Sequence, residues 1–500
     1  MKTAYLLVFI LGILSRYTAF AQVPSDGLSP AEGMNIGNPA IKGTFVYESR
    51  DQQYLLTGAG YNIWNTRDEF FFLARKTGGD LIFSAVLEFK GAGTELHRKA
   101  GIMFRSSLEE DAPYVDVAVH GDGLTSLQYR SAKGGVTREI AAEIRNPQFI
   151  QLERTGNRFV MRLSKDNSPL MVAAELELAL PDEVHAGLFV CSHNAGVTET
   201  ALFRNVRLDV PATVKGGNQA PPSPSRLETL DVVTGARSIV HTSASHFEAP
   251  NWSRNGKFLI YNQEGLLYRF DLKPGKIRQI NTGFANANNN DHGISFDGKM
   301  LAISHHTIVN EKRQSIIYTV PVKGGTPARI TETGPSYWHG WSPDDLWLTY
   351  CAERNGNYDV YKIPAAGGEE IRLTSAEGLD DGPEYSPCGN YIYFNSVRSG
   401  TMQIWRMKPD GSLQEQVTFD AYNDWFPHPS PDGKWLIFVS YLPEVPAASH
   451  PRNERVMLRL MNLENGEIRA LAFLYGGQGT INVPSWSPDS RKVAFVSYTY

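Results

Sequence analysis

Five hundred residues exceed what one domain ordinarily holds, about 100–250, so two or more domains are expected. A composition that is 42% hydrophobic and 20% charged is that of a folded globular chain, neither disordered nor a membrane bundle. The net charge of −5 provides no basic face for phosphates, so nucleic acid is excluded as a partner.

The amino terminus reads as an address. Lys2 precedes an apolar run from Ala4 to Leu14, and Ala19-Phe20-Ala21 forms an A-x-A cleavage site, so residues 1–21 are expected to be a signal peptide. The mature chain then belongs in the periplasm or outside the cell. The run is shorter than the roughly 20 residues that span a bilayer, and no later stretch is long enough, so no transmembrane segment follows. Cys191, Cys351 and Cys388 are too few and too scattered for a disulfide framework. Each falls in or beside a strand pattern and is expected to be a small buried hydrophobe.

Residues 39–210 carry short runs that alternate by two, such as DLIFSAVLEF, YVDVAVHG and FIQLERTG, with turn residues between them. Many strands with no helical pattern predict a two-sheet β-sandwich. The stretches KAGIMFRSSLEEDAPYVDVAVHGDG and GLFVCSHNAGVTETALFRNVRL resemble concanavalin-A-like jelly-roll domains, which implies sugar binding as an expectation. Residues 211–225, PATVKGGNQAPPSPS, read as a semi-extended linker.

From 226 to 500 the chain repeats. An S-P-D-G-like turn recurs as WSRNG (252–256), ISFDG (294–298), WSPDD (341–345), YSPCG (385–389), PSPDG (429–433) and WSPDS (486–490). The spacing fits four strands per repeat and predicts a six-bladed β-propeller. The last copy has room for only two strands, and Leu227–His241 supplies two more, so both ends of the segment are expected to share one blade. The turns resemble those of the TolB-type propeller family. The whole chain is thus expected to be all-β, sandwich then propeller, and a monomer.

Loops leading into the innermost strands converge on the channel of a propeller. Four of them place a proline two residues before the Trp-like position: Pro250, Pro383, Pro427 and Pro484. The second and third blades place His292 and His339 there instead. These histidines, with Asp291, Tyr337, Asp381 and Asp424, are the candidate catalytic groups, and His292, His339, His428 and Gln478 are candidate ligands for manganese or zinc. Trp338 and Trp425 are candidate sugar platforms, Arg354 and Arg398 candidate clamps for a carboxylate or sulfate, and His246 a further binding residue. The insert 441–455, with His450 and Arg452, is expected to fold across the mouth.

These residues look similar to the histidine and glutamine set of propeller oligogalacturonate lyases, which implies β-elimination on acidic plant or algal oligosaccharides. A glycoside hydrolase stays open through Asp381, Glu384 and Asp424. The alternative is a non-catalytic propeller of the cell envelope that binds glycan or protein. No G-x-S-x-G elbow exists, since the stretch from Gly293 ends in Asp297.

Overall fold

The computed structural model describes residues 28–48, 52–210, 224–309 and 311–498. The expected signal peptide and most of the expected linker lie outside them. Among the described residues every named element is a strand, and the ladders are antiparallel.

Two seven-stranded sheets build the first unit. One runs Glu32–Ile36, Phe70–Gly78, Glu183–Cys191, Lys99–Arg105, Tyr114–His120, Thr125–Arg130, Arg138–Ala141. The other runs Met171–Glu177, Arg158–Ser164, Phe149–Thr155, Leu81–Lys90, Glu199–Asp209, Gln53–Gly58, Thr44–Glu48. Alternation sends Ile102, Phe104, Val117, Leu127 and Leu188 from the first sheet against Phe83, Leu152, Phe159 and Phe203 from the second, in one shared core. The first sheet begins with Glu32–Ile36, ahead of residue 39. Its outer face is covered as well, where Phe70, Phe72, Met103, Tyr114 and Phe189 pack with Ile63.

The second unit is a ring of six blades. Five are four-stranded sheets whose innermost strands are Glu248–Trp252, Asn288–Ile294, Ser336–Trp341, Asp380–Tyr385 and Asn423–Pro429. The sixth joins the two ends of the segment: Lys492–Tyr498 pairs with Ser225–Asp231 from Asp231↔Lys492 to Ser225↔Tyr498, Arg237–Ser243 lies outside, and Trp486 bridges to Val493 inside. This shared blade removes the open edges that an unclosed ring would carry.

The repeated turn has a chemical cause. The serine hydroxyl accepts the backbone N–H five residues on in each copy: Ser253 from Phe258 at 3.0 Å, Ser295 from Met300 at 3.0 Å, Ser342 from Trp347 at 2.9 Å, Ser386 from Tyr391 at 3.0 Å, Ser430 from Trp435 at 3.0 Å and Ser487 from Lys492 at 2.8 Å. Where aspartate follows, the hydroxyl donates to it, as Ser295 does to Asp297 at 2.7 Å. The fifth position has φ between +59° and +73°, which glycine fills in four copies and Asp345 and Ser490 in the others. Cys388 takes the aspartate position in blade 4 and is exposed, not buried as its neighbourhood predicts; Cys191 and Cys351 are buried.

The two units meet through a buried network. Arg237 donates to Asp209 at 2.8 Å and to Glu228 at 2.8 Å, and Ser497 donates to the same Glu228.

Candidate functional site

Each of the five described innermost strands breaks register where it enters the channel. In blades 1, 3, 4 and 5 one extra residue is inserted, between Glu248 and Asn251, Trp338 and Gly340, Asp381 and Glu384, and Trp425 and His428. Ala249, Gly382 and Phe426 take φ values of +56°, +62° and +55° just before Pro250, Pro383 and Pro427. Blade 2 inserts two residues between Asn288 and His292. This difference decides the fate of the two histidines. His339 is the bulged residue and turns into the channel, whereas His292 is already back on its ladder opposite Ile303.

The bulges open on a cavity of about 440 Å³ at the channel mouth. Asn289 and Asp291 line it from blade 2, Tyr337, His339, Cys351 and Tyr358 from blade 3, and Leu379 and Asp381 from blade 4. Phe426, Ala448, His450, Gln478 and Asn482 complete it. Ala448 and His450 belong to the expected lid, and His450 is held edge-on against Trp425 with ring centres 4.4 Å apart. Asn289, Tyr358, Phe426 and Asn482 were not singled out by sequence. Phe426 carried a signal nonetheless, as the residue preceding a structural proline.

His339 anchors the electrostatics. Its Nε2 lies 3.0 Å from Asp381, it bonds the backbone of Asn482, and its ring stacks on Phe426 at 5.8 Å. Burial opposes the imidazolium, but the Asp381 carboxylate outweighs it and raises the His339 pKa. Burial likewise opposes the Asp381 charge, and His339 overrides it, so Asp381 sits below its ordinary value. Asp291 differs: burial, with Asp381 as a like charge and His339 opposing, pushes it up to about 7. Asn289 donates to its Oδ2 at 2.6 Å. Burial, with the neighbouring Tyr358 and Asp291, raises the Tyr337 hydroxyl well above its usual range. The mouth therefore combines an ion pair with one carboxyl poised near neutrality.

The other sequence candidates lie elsewhere. His292 is fully buried between blades, its Nε2 3.3 Å from the Ile260 carbonyl, and burial pushes it down to about 4. His428 is held by Glu384 at 2.5 Å and by the Ile481 carbonyl at 2.5 Å. Asp424 is buried under blade 5, accepting from Ser440 at 2.6 Å and Arg459 at 3.1 Å, and does not line the mouth. Trp338 and Trp425 have no exposed surface and are core, Trp338 packing on the bare Cα of Gly293. His246 sits outside this cavity, bonded to Glu248 at 2.7 Å and stacked on Tyr498.

Neither arginine is a clamp. Arg354 donates to Glu370 at 2.8 and 3.0 Å, to the Thr333 and Pro335 carbonyls and to Ser336. Arg398 is spent on Asp380, Ser396 and Gln414. Arg354→Ala is expected to cost about 1–3 kcal/mol in urea denaturation by stranding Glu370, and to leave ligand binding at the mouth unchanged.

The four expected metal ligands do not assemble. Only His339 and Gln478 line the cavity, both His428 nitrogens and His339 itself are committed to protein partners, and among the described residues no trio of His, Cys, Asp or Glu is placed to hold an ion. These residues do not fit manganese or zinc. Adding either to the purified protein is expected to leave its melting temperature where it was.

Comparison with known proteins bears on the second unit. The family model described as "TolB beta propeller domain" matches residues 337–472. An uncharacterized protein of Agrobacterium fabrum is 49% identical over 275 residues, 55% of this chain and 92% of its own length. A solved TolB candidate from Agrobacterium tumefaciens is 47% identical, with a TM-score of 0.54 over 56% of this chain and all of that one. An oligogalacturonate lyase in complex with manganese aligns at 14% identity over 76% of this chain and 97% of its own, with a TM-score of 0.37, a distant likeness of architecture. The six-bladed ring, its Ser-anchored turns and these matches together place the chain in the TolB-type β-propeller family.

Proposed function

We propose that the chain is an exported carbohydrate-handling propeller, working in the periplasm or outside the cell, whose channel mouth receives one or two neutral sugar units of a glycan. The supporting observation is the cavity itself. Its size suits a sugar, and amide, hydroxyl and carboxyl groups from Asn289, Gln478, Asn482, Tyr337 and Asp381 alternate with the rings of Tyr358 and Phe426. Among its described lining residues there is no arginine or lysine, while there are two carboxyls, so a uronate would meet repulsion in place of a clamp. The acidic substrate implied by the lyase resemblance is for that reason replaced by a neutral one.

Chemistry at this site would run through Asp291, whose carboxyl is suited to donate and accept a proton near neutral pH. Binding without turnover is the second reading, favoured because His339 and Asp381 already satisfy each other. Calorimetric titration with neutral and uronate oligosaccharides, with chromatography of the mixtures, separates them. Product formation lost in Asp291→Asn with binding retained supports the enzyme. Tight binding without product supports the binding module. If neutral sugars neither bind nor react, the reading fails.

A further inference from the structure

The sandwich carries a second pocket, of about 240 Å³, on the outer face of its first sheet. Asn62, Trp64, His97, Lys99, His120, Leu124, Gln128, Glu139 and His193 line it. The sheet register makes the cluster: Lys99 lies opposite His120 on neighbouring strands, and Gln128 opposite Glu139 on the next pair. His97 brings the other imidazoles together, its ring centre 5.7 Å from those of both His120 and His193.

The floor of this pocket is a buried ammonium. Lys99 is 2% exposed, donates to the Ile63 carbonyl at 2.9 Å and to Gln128 Oε1 at 3.2 Å, and lies 5.1 Å from the centre of the Trp64 ring. These two bonds leave one of its three N–H donors for another partner. A strand lysine whose only role was solubility would stand in water; burying one asks for an anion or a full set of acceptors. His120, 4% exposed, shares Nε2 with Gln128 at 3.3 Å, and its Nδ1 finds no partner. His193 adopts φ +60°, outside the range comfortable for a side-chain-bearing residue, and its Nε2 meets the Asn62 amide at 3.1 Å. Burial first, and then the Lys99 charge, hold His120 down to about 3 and lower His193 too. The buried carboxyl beside Lys99, Asp116, is itself pushed well above the usual carboxylate range by burial and so is a weak counter-ion. Among the described lining residues Glu139 is the one carboxylate. It is exposed at the rim, 3.4 Å from Gln128 Nε2.

We infer that this pocket binds a small hydroxylated carboxylate, the size of a single acidic sugar, with its carboxylate on Lys99 and its hydroxyls on the imidazoles and the Asn62 and Gln128 amides. The size of the cavity excludes a long glycan, and the charge of its floor distinguishes it from the propeller mouth, whose described lining residues offer no cation other than the paired His339. The inference stands independently of what the propeller does.

The test is calorimetric titration of the full chain with glucuronate, galacturonate and gluconate, against glucose and acetate as probes. The acids should bind in a way that depends on Lys99 and His97, whereas any heat from glucose, which belongs to the propeller mouth, should be the same in wild type and in the sandwich variants. Lys99→Met should weaken binding by about thirtyfold or more, the usual consequence of removing one member of a buried charge pair. Because that change also removes the cation that most favours the ionised form of buried Asp116, His97→Gln, at an exposed ring, is the second variant, with a several-fold loss expected. Asp291→Asn in the propeller should leave this binding unchanged. The inference is overturned if no acid binds, if glucose or bare acetate loses as much affinity as glucuronate does in the sandwich variants, or if both sandwich variants bind the acids like the wild type.

Discussion

Asp291→Asn is expected to make the protein more stable at pH 8 by up to about 4 kcal/mol and to change it little at pH 4. The sign follows from linkage. Burial raises Asp291 from 3.8 to about 7, so the folded state keeps a proton that the unfolded state has already released. Its contribution is intact below about pH 4, erodes as pH rises toward 7, and is gone above it. Asparagine is neutral throughout and keeps a carbonyl to accept from Asn289, so the gap between variant and wild type should open across this window. Denaturant unfolding between pH 4 and 8 measures it. A stabilised variant is the outcome expected of a carboxyl held for use at the mouth. A variant less stable than wild type at every pH would remove Asp291 from the account.

The second large effect lies in the sandwich. Asp68→Ala should cost about 3–5 kcal/mol, because it strands two guanidiniums in a place without water. Asp68 accepts from Arg105 at 2.7 Å and from Arg130 at 2.6 and 2.7 Å, and all three side chains are fully buried. Both arginines flank the Tyr114 ring and hold loop carbonyls, Glu109 for Arg105 and Ala112 and Gly135 for Arg130. The triad thus fastens the loops covering the outer face of the first sheet. Calorimetry of the full chain should show the sandwich transition lowered by roughly 6–20 °C. An unmoved transition would mean that the cluster is not under this constraint.

The propeller was legible in sequence because its turn is fixed by local chemistry. A serine that accepts from the residue five ahead, and a position at positive φ, must recur wherever the turn recurs, so six copies stand out and the shared blade follows from their spacing. The site was legible only in part, because a bulge is a property of pairing. His292 and His339 occupy equivalent positions counted from the turn, yet two inserted residues in blade 2 and one in blade 3 send one imidazole into a blade interface and the other into the channel. Asp291, Tyr337, His339, Asp381 and Gln478 do meet at the mouth. Trp338, Trp425, Arg354 and Arg398 looked functional because aromatic and guanidinium groups beside a channel suit sugars. Their partners, Gly293 and Asp380 on inner strands and Glu370 and His450 in connecting segments, are brought together by the fold and not by any local pattern. The pocket around Lys99 was invisible for the same reason, its residues being assembled from five separate segments of the sandwich.

One carboxyl held near neutrality beside a committed ion pair is the heart of this site, and carbon NMR of aspartate side chains reads it directly. With Asp291 assigned through Asp291→Asn, its carboxyl should titrate near pH 7 while Asp381 titrates below its ordinary value. Titration of Asp291 at about pH 4, as for an exposed carboxyl, would contradict the account.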